Sequence, residues 1–183
     1  YNKWSTYTPE EKGVLIAYAS VYGNTENAVN ILAARLADKG VTNVKICDVS
    51  TTHPSYILSD AFKYSNILLA STTYNAVIFT NSHDLITDIV AHGLKNRAYS
   101  IIENGSWAPV SGKLMQDELA KLPGSRFVGD KVTITSSVKE ETVEKLYALA
   151  DSIAADIIGE EAVAADAGDV TVDTKAFFKI TYC

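Results

Sequence analysis

The chain has 183 residues, with 16 Lys and Arg against 22 Asp and Glu for a formal net charge of −6, and 47% of its residues are hydrophobic. That is the size and apolar content of one ordinary globular domain, and it excludes disorder, collagen and coiled coil. A sequence pI near 5.0 without any Lys/Arg cluster leaves no footprint for nucleic acid, and no apolar run reaches the roughly 18 residues of a bilayer span, so no membrane partner is expected.

The elements follow in chain order. Residues 1–13 read as an N-terminal linker segment, and 14–158 as the folded domain. Val14 to Ser20 is a continuous apolar run, the pattern of a strand buried on both faces of a parallel sheet. Asn24 to Lys39 carries Ala28, Leu32 and Leu36 on one face and stops at Gly40, as a glycine-terminated helix does. A second buried strand spans 44–49, and 54–62 supplies a short helix or turn. A third strand covers 66–71, and the spacing of Leu85, Ile86, Ile89, Val90 and Leu94 predicts a helix over 83–94. A fourth strand covers 98–103, a weaker helix 112–122, and a fifth strand 127–134. Ser137 to Glu140 has a capping-box pattern, and Val143, Leu146, Ala150, Ile153 and Ile157 continue it as one helical stripe. Five strand–helix alternations predict a doubly wound α/β sheet with right-handed crossovers and ligand loops at the strands' carboxyl ends.

After Ile158 the composition turns small and acidic. Residues 159–183 read as an acidic linker followed by a separate apolar segment, and residues 160–183 account for −3 of the net charge. The N-terminus is not Met and lacks a secretory apolar region, so the chain reads as a cytoplasmic piece of a longer polypeptide. Cys47 and Cys183 are too sparse to suggest a disulfide framework or a Cys-ligated metal. His53, His83 and His92 read as surface or cap residues, so no metal ligand and no catalytic acid or base is expected.

Three predicted loops concentrate hydroxyls, amides and aromatics. Ser20, Val21, Tyr22, Gly23, Asn24 and Thr25 lie between a buried strand and a helix, where backbone N–H groups and two hydroxyls make an anion cradle. A phosphate is the expected occupant. Neither a Walker sequence nor a G-x-G-x-x-G string is present, so triphosphates and NAD fit poorly. The second loop is Ser71, Thr72, Thr73, Tyr74 and Asn75, and the third runs through Asn104, Gly105, Ser106 and Trp107 to Pro109. Tyr74 and Trp107 are placed to stack on a planar ring, with Asn75 and Asn104 bonding its polar rim. A ligand-free helix cap and ordinary edge aromatics are the alternatives for these residues.

The strings from Tyr18 to Glu26, Ala70 to Asn75 and Ile102 to Pro109 resemble the three FMN-binding loops of the flavodoxin-like domain of flavodiiron proteins. The resemblance covers about residues 1–158. It implies a five-stranded sheet in the order 2-1-3-4-5 with helices on both faces, and FMN as cofactor. It also implies electron relay from a rubredoxin or a flavin reductase to a diiron site, outside this chain, that reduces oxygen or nitric oxide. That site belongs to a metallo-β-lactamase-like domain of the parent or of a homodimer partner; with three histidines and no H-x-E-x-D-H string, this chain cannot build it. The segment Ala176 to Tyr182 resembles the opening of a flavin-reductase-like domain. Departures are Thr72 for the family's usual proline, Ala76-Val77 for its Gly-Gly, and Thr80 for the proline of Ile-Phe-Pro. Ala76 restricts the close approach to a ring that a glycine allows. A stand-alone flavodoxin and a cofactor-free interaction module are the competing readings.

Overall fold

A computed structural model describes residues 5–159 and 179–183. Its elements are β1 (Glu11–Tyr18), α1 (Asn24–Asp38), β2 (Asn43–Asp48), α2 (Pro54–Lys63), β3 (Tyr64–Tyr74), β4 (Val77–Ile78) and α3 (Thr80–Ala91), then β5 (Ala98–Asn104), α4 (Ser111–Leu119), β6 (Arg126–Phe127), β7 (Val132–Ile134), α5 (Glu140–Ile158) and β8 (Lys179–Tyr182). The parallel strands run β6-β5-β3-β1-β2-β8, with β7 also on β5. The principal strands therefore lie in the expected order, with β3 and β1 in the middle of the sheet.

Alternation along β1 shows why both faces must be covered. Val14 and Ile16 point into one apolar cluster with Leu32 and Leu36 of α1 and Leu146 and Ile153 of α5. Leu15 and Ala17 point into the other, with Ile57 of α2, Ile86 and Ile89 of α3, and Met115 of α4. Each of these side chains is essentially fully buried, and each such Leu or Ile stabilises the fold by about 1.5–3 kcal/mol relative to exposure. A continuous apolar strand is what a two-sided core requires.

Several expectations need correction. The fifth strand is not one run: β6 and β7 are separated at Gly129, whose φ of 70° takes the backbone out of extended geometry. The capping box at Ser137 does not form, because the helix begins three residues later with Lys139 as N-cap and no side-chain cap. Ser136 at φ 65° turns the chain first. Helix α3 starts at Thr80, earlier than its apolar stripe. The two-residue strand β4 makes an antiparallel hairpin with β3 that the sequence reading did not contain. Residues 5–13 dock on the domain: Tyr7 packs on Phe62, and Glu11 already pairs with Tyr64 in the sheet.

The C-terminal residues also differ. Residues 160–178, most of the expected linker, lie outside the described residues. Residues 179–182 extend the sheet beyond five strands by pairing in parallel with β2, from Asn43↔Lys179 to Ile46↔Tyr182. One step further along that register, Cys47 and Cys183 stand side by side with Cα atoms 4.9 Å apart and form a disulfide, against the expectation from their sparse number. Their pairing depends on strand register across 136 residues of sequence, which composition does not encode. His53 caps α2 by accepting from the Ser55 N–H, as its reading as a cap residue expected.

Candidate functional site

The carboxyl ends of β1, β3 and β5 come together because β1 and β5 both flank β3. Between them is a cavity of about 380 Å³ lined by Ser20, Val21, Tyr22, Asn24, Thr25, Thr72, Thr73, Tyr74, Asn104, Gly105, Ser106 and Ser136. Eleven of these twelve residues belong to the three loops singled out in the sequence. None is a Lys, Arg or His.

Helix α1 begins at this cavity. Gly23 is its N-cap in the left-handed region, with φ 81°, and no side chain caps the helix. The first intrahelical backbone bond runs from the Asn27 N–H to the Gly23 carbonyl. The N–H groups ahead of Asn27 therefore have no helical acceptor, and the helix dipole adds positive potential at the same place. Beside them the Ser20 Oγ is buried with no hydrogen-bond partner. A buried hydroxyl without a partner costs about 1–3 kcal/mol, and here it stands beside backbone donors that also lack an acceptor.

The three loops are tied to one another. The Thr25 hydroxyl lies 3.2 Å from the Thr72 hydroxyl and accepts from Asn104 Nδ2 at 3.3 Å. Asn104 also donates to the Ser136 carbonyl at 3.3 Å, and the Thr72 hydroxyl donates to the Ala19 carbonyl at 3.4 Å. Thr25 is thus a buried link between loops as well as a first-turn residue of α1. Below the cavity, burial, with Glu26 and Asp48 adding to it, pushes the Tyr18 phenol up to about 12, so it stays protonated at neutral pH.

The second helix N-terminus at this edge is closed. Thr73 Oγ1 accepts from the Val110 and Ser111 N–H groups at 3.0 and 3.1 Å, and Glu103 accepts from the Gly112 N–H at 2.7 Å. Glu103, buried at 1% exposure, is also held by Thr133 and the Lys131 ammonium. Only α1 is left to meet an anion among these two helices.

Four expected residues do not line the cavity. Gly23 sets the start of α1 instead. Ser71 is fully buried under the loop, where its carbonyl accepts from Ser111 Oγ. Asn75 forms the β3–β4 turn with Ala76, both at positive φ (50° and 60°). Trp107 is 98% exposed and is not among the residues that line the cavity. Ser136 was missed; the hydroxyl-rich stretch from Thr135 to Ser137, after the last strand, was the available signal. Tyr74 is half-exposed and packs edge-on against Phe79 at a centroid distance of 6.2 Å.

No family model and no curated protein matches this sequence. Solved structures do. A rubredoxin oxygen:oxidoreductase from the anaerobe Desulfovibrio gigas superposes with a TM-score of 0.77 at 22% identity, over 91% of this chain and 39% of that one. The flavodiiron protein from Giardia intestinalis gives a TM-score of 0.72 at 17% identity, over 91% of this chain and 40% of its own. A flavodoxin from Streptococcus pneumonia gives 0.67 at 24% identity, over 79% of this chain and 99% of its own. The chain thus spans about two fifths of the length of the flavodiiron proteins it superposes on. At these identities what is shared is the architecture, and the architecture is that of the flavodoxin-like α/β fold.

Proposed function

We propose that this chain is an FMN-binding electron-transfer domain of a flavodiiron-type oxidoreductase. The observation that carries the reading is the uncapped N-terminus of α1 beside the orphaned Ser20 hydroxyl, at the mouth of a cavity where three loops converge. The residues fit a monophosphate: Ser20, Val21, Tyr22, Gly23, Asn24 and Thr25 supply backbone and hydroxyl donors, with no cation among the cavity residues. Thr72, Thr73 and Tyr74 face Asn104, Gly105 and Ser106 across the remaining space, which suits the rim of a planar ring.

Flavin, when bound, supplies the redox chemistry itself. The chain's own part is to bind and orient it. The α1 amides would hold its phosphate, the bonds among Thr25, Thr72 and Asn104 tie the surrounding loops together, and Tyr74, braced on Phe79, would meet its ring from the same cavity. With no cation in the cavity, negative charge accumulating on reduction receives no compensation from these side chains.

In this reading electrons arrive from a rubredoxin or a flavin reductase and leave toward a diiron domain outside this chain, in the parent polypeptide or a homodimer partner. Oxygen or nitric oxide reduction belongs to that domain. Superposition on two flavodiiron proteins supports this over a stand-alone flavodoxin. Among the described residues no helix is long and apolar enough to cross a membrane, and a cytoplasmic setting is part of the proposal.

A second reading, a cofactor-free interaction module, is favoured by two observations: Ala76 holds the β3–β4 turn at φ 60° where a glycine would move more freely, and Trp107 is solvent-exposed and outside the cavity lining. One experiment separates the two. The purified chain is incubated with FMN, passed through gel filtration and examined by visible absorption, with released flavin identified by mass. Retained FMN at one per chain supports the electron-transfer reading. A colourless chain that takes up no FMN overturns it in favour of the interaction module.

A further inference from the structure

The paired cysteines do not line the cavity, and they carry a second proposal independent of flavin. Cys47 is fully buried at the carboxyl end of β2, in the cluster shared with Ile57 and Ala61 of α2. Cys183 follows β8 and continues the ladder, its N–H donating to the Ile46 carbonyl at 2.9 Å. Asp60 reaches the same point from α2. One ligand atom each from Cys47, Asp60 and Cys183 lie within 4.8 Å of one another. The Lys45 ammonium holds Asp60 Oδ2 at 2.6 Å from the neighbouring strand position.

We propose that these three residues form a redox-gated site for one thiophilic divalent cation of the zinc class. The disulfide is the closed state. A dithiol or other thiol reductant donates two electrons and two protons, breaking the S–S bond to give two Cys thiols while the reductant becomes a disulfide. Binding of the cation then releases both thiol protons and leaves two thiolates and one carboxylate as ligands. Water completes a tetrahedron.

Geometry and charge both fit. Zinc–sulfur bonds of about 2.3 Å and zinc–oxygen bonds of about 2.0–2.2 Å set tetrahedral ligand atoms about 3.5–4 Å apart; the two sulfurs, bonded to each other in the disulfide, separate to that distance by side-chain rotation once the bond is broken, and an Asp60 oxygen already lies within 4.8 Å of both. Two thiolates and a carboxylate carry −3, which a divalent cation and Lys45 balance without a residual buried charge. Lys45 pairs with Asp60 Oδ2, as an outer partner of a ligating carboxylate does. Exposed Cys183 provides the access route to a ligand set otherwise anchored in the core. Two strands and a helix thereby become coupled to the thiol state.

The test uses the full chain, reduced by a phosphine or dithiol, freed of reductant under anaerobic conditions, and titrated with Co²⁺ alone. The expected result is near-ultraviolet thiolate-to-cobalt absorption with tetrahedral visible bands, saturating at one Co²⁺ per chain and displaced by Zn²⁺. Cys183→Ser changes an exposed side chain, so the fold is kept; it should lose about half of the charge-transfer absorption, one of two thiolates. Asp60→Asn should keep that absorption and weaken binding at least about tenfold. The oxidised chain should take up no Co²⁺. The proposal is overturned if the reduced chain shows no thiolate-to-cobalt band, if oxidised and reduced chains bind alike, or if Cys183→Ser binds as the unaltered chain does.

Discussion

Arg97 offers the sharpest test of how this fold is held together. It is 1% exposed and donates to five backbone carbonyls: Ala61 at 3.1 Å, Phe62 at 2.7 Å, Tyr7 at 2.8 Å, Lys95 at 2.9 Å and Asn96 at 3.3 Å. Ala61 and Phe62 lie in the last turn of α2, where carbonyls lack intrahelical partners and a cation is favoured by the helix dipole. Burial lowers the guanidinium pKa from its ordinary value, yet an arginine stays charged throughout the working range. One side chain therefore joins the N-terminal segment, α2 and the entrance to β5.

Arg97→Met keeps most of the apolar stem and removes every donor. The acceptors are backbone, so they cannot be removed along with it, and each carbonyl that stays buried without a donor costs about 1–3 kcal/mol. With part of the set rehydrated, a net loss of about 3–5 kcal/mol follows, as for other broken buried charge networks. Against a total stability of about 5–15 kcal/mol, that is a large fraction, and it corresponds to a drop in Tm of roughly 6–20 °C for a domain of this size. Arg97→Lys keeps the charge but loses the planar fork, and should fall between the two. Urea unfolding followed by circular dichroism measures both. A loss below about 1 kcal/mol for Arg97→Met would refute the reasoning, since it would mean the carbonyls find other donors at no net cost.

Other outcomes follow from local geometry. Gly23→Val forces a β-branched residue to φ 81° in open space, a strain of about 1–2 kcal/mol, and should lower FMN affinity in a fluorescence titration; unchanged affinity would count against the α1 terminus as the phosphate site. Ala76→Gly relieves a non-glycine φ of 60°, and after the extra chain entropy of glycine a net gain of about 0.5–1 kcal/mol should appear in thermal unfolding. Asp156 is pushed up by burial, but hydrogen bonds from Arg126 and Asn66 outweigh that and hold it below the usual carboxylate range. Its contribution is therefore full above the unfolded pKa of about 4 and disappears as pH falls through the lower folded value. Urea midpoints of Asp156→Asn should lie below those of the unaltered chain at neutral pH and converge with them below about pH 3; a constant gap would sink the assignment.

Much of this protein is decided along the chain. Unbroken apolar runs such as Val14 to Ala19 state that a strand is buried on both faces, and helical stripes between them state what covers it; these are local periodicities and need no tertiary information. The three loops that converge on the cavity were legible for the same reason, because strand ends and helix starts bracket them and their hydroxyls are written in sequence. Tertiary structure decided the rest. Thr73 caps α4 as well as lining the cavity, because α4 starts against the end of β3. Trp107 points to solvent, since aromatic character gives a residue an energetic preference without giving it a neighbour. Arg97 hid inside a polar stretch, and its acceptors come from residues 7, 61, 62, 95 and 96. Cys47 and Cys183 met through strand register. Periodicity fixes which face a residue occupies, while partners from distant segments are set by the packing of whole elements, and only the folded chain brings those together.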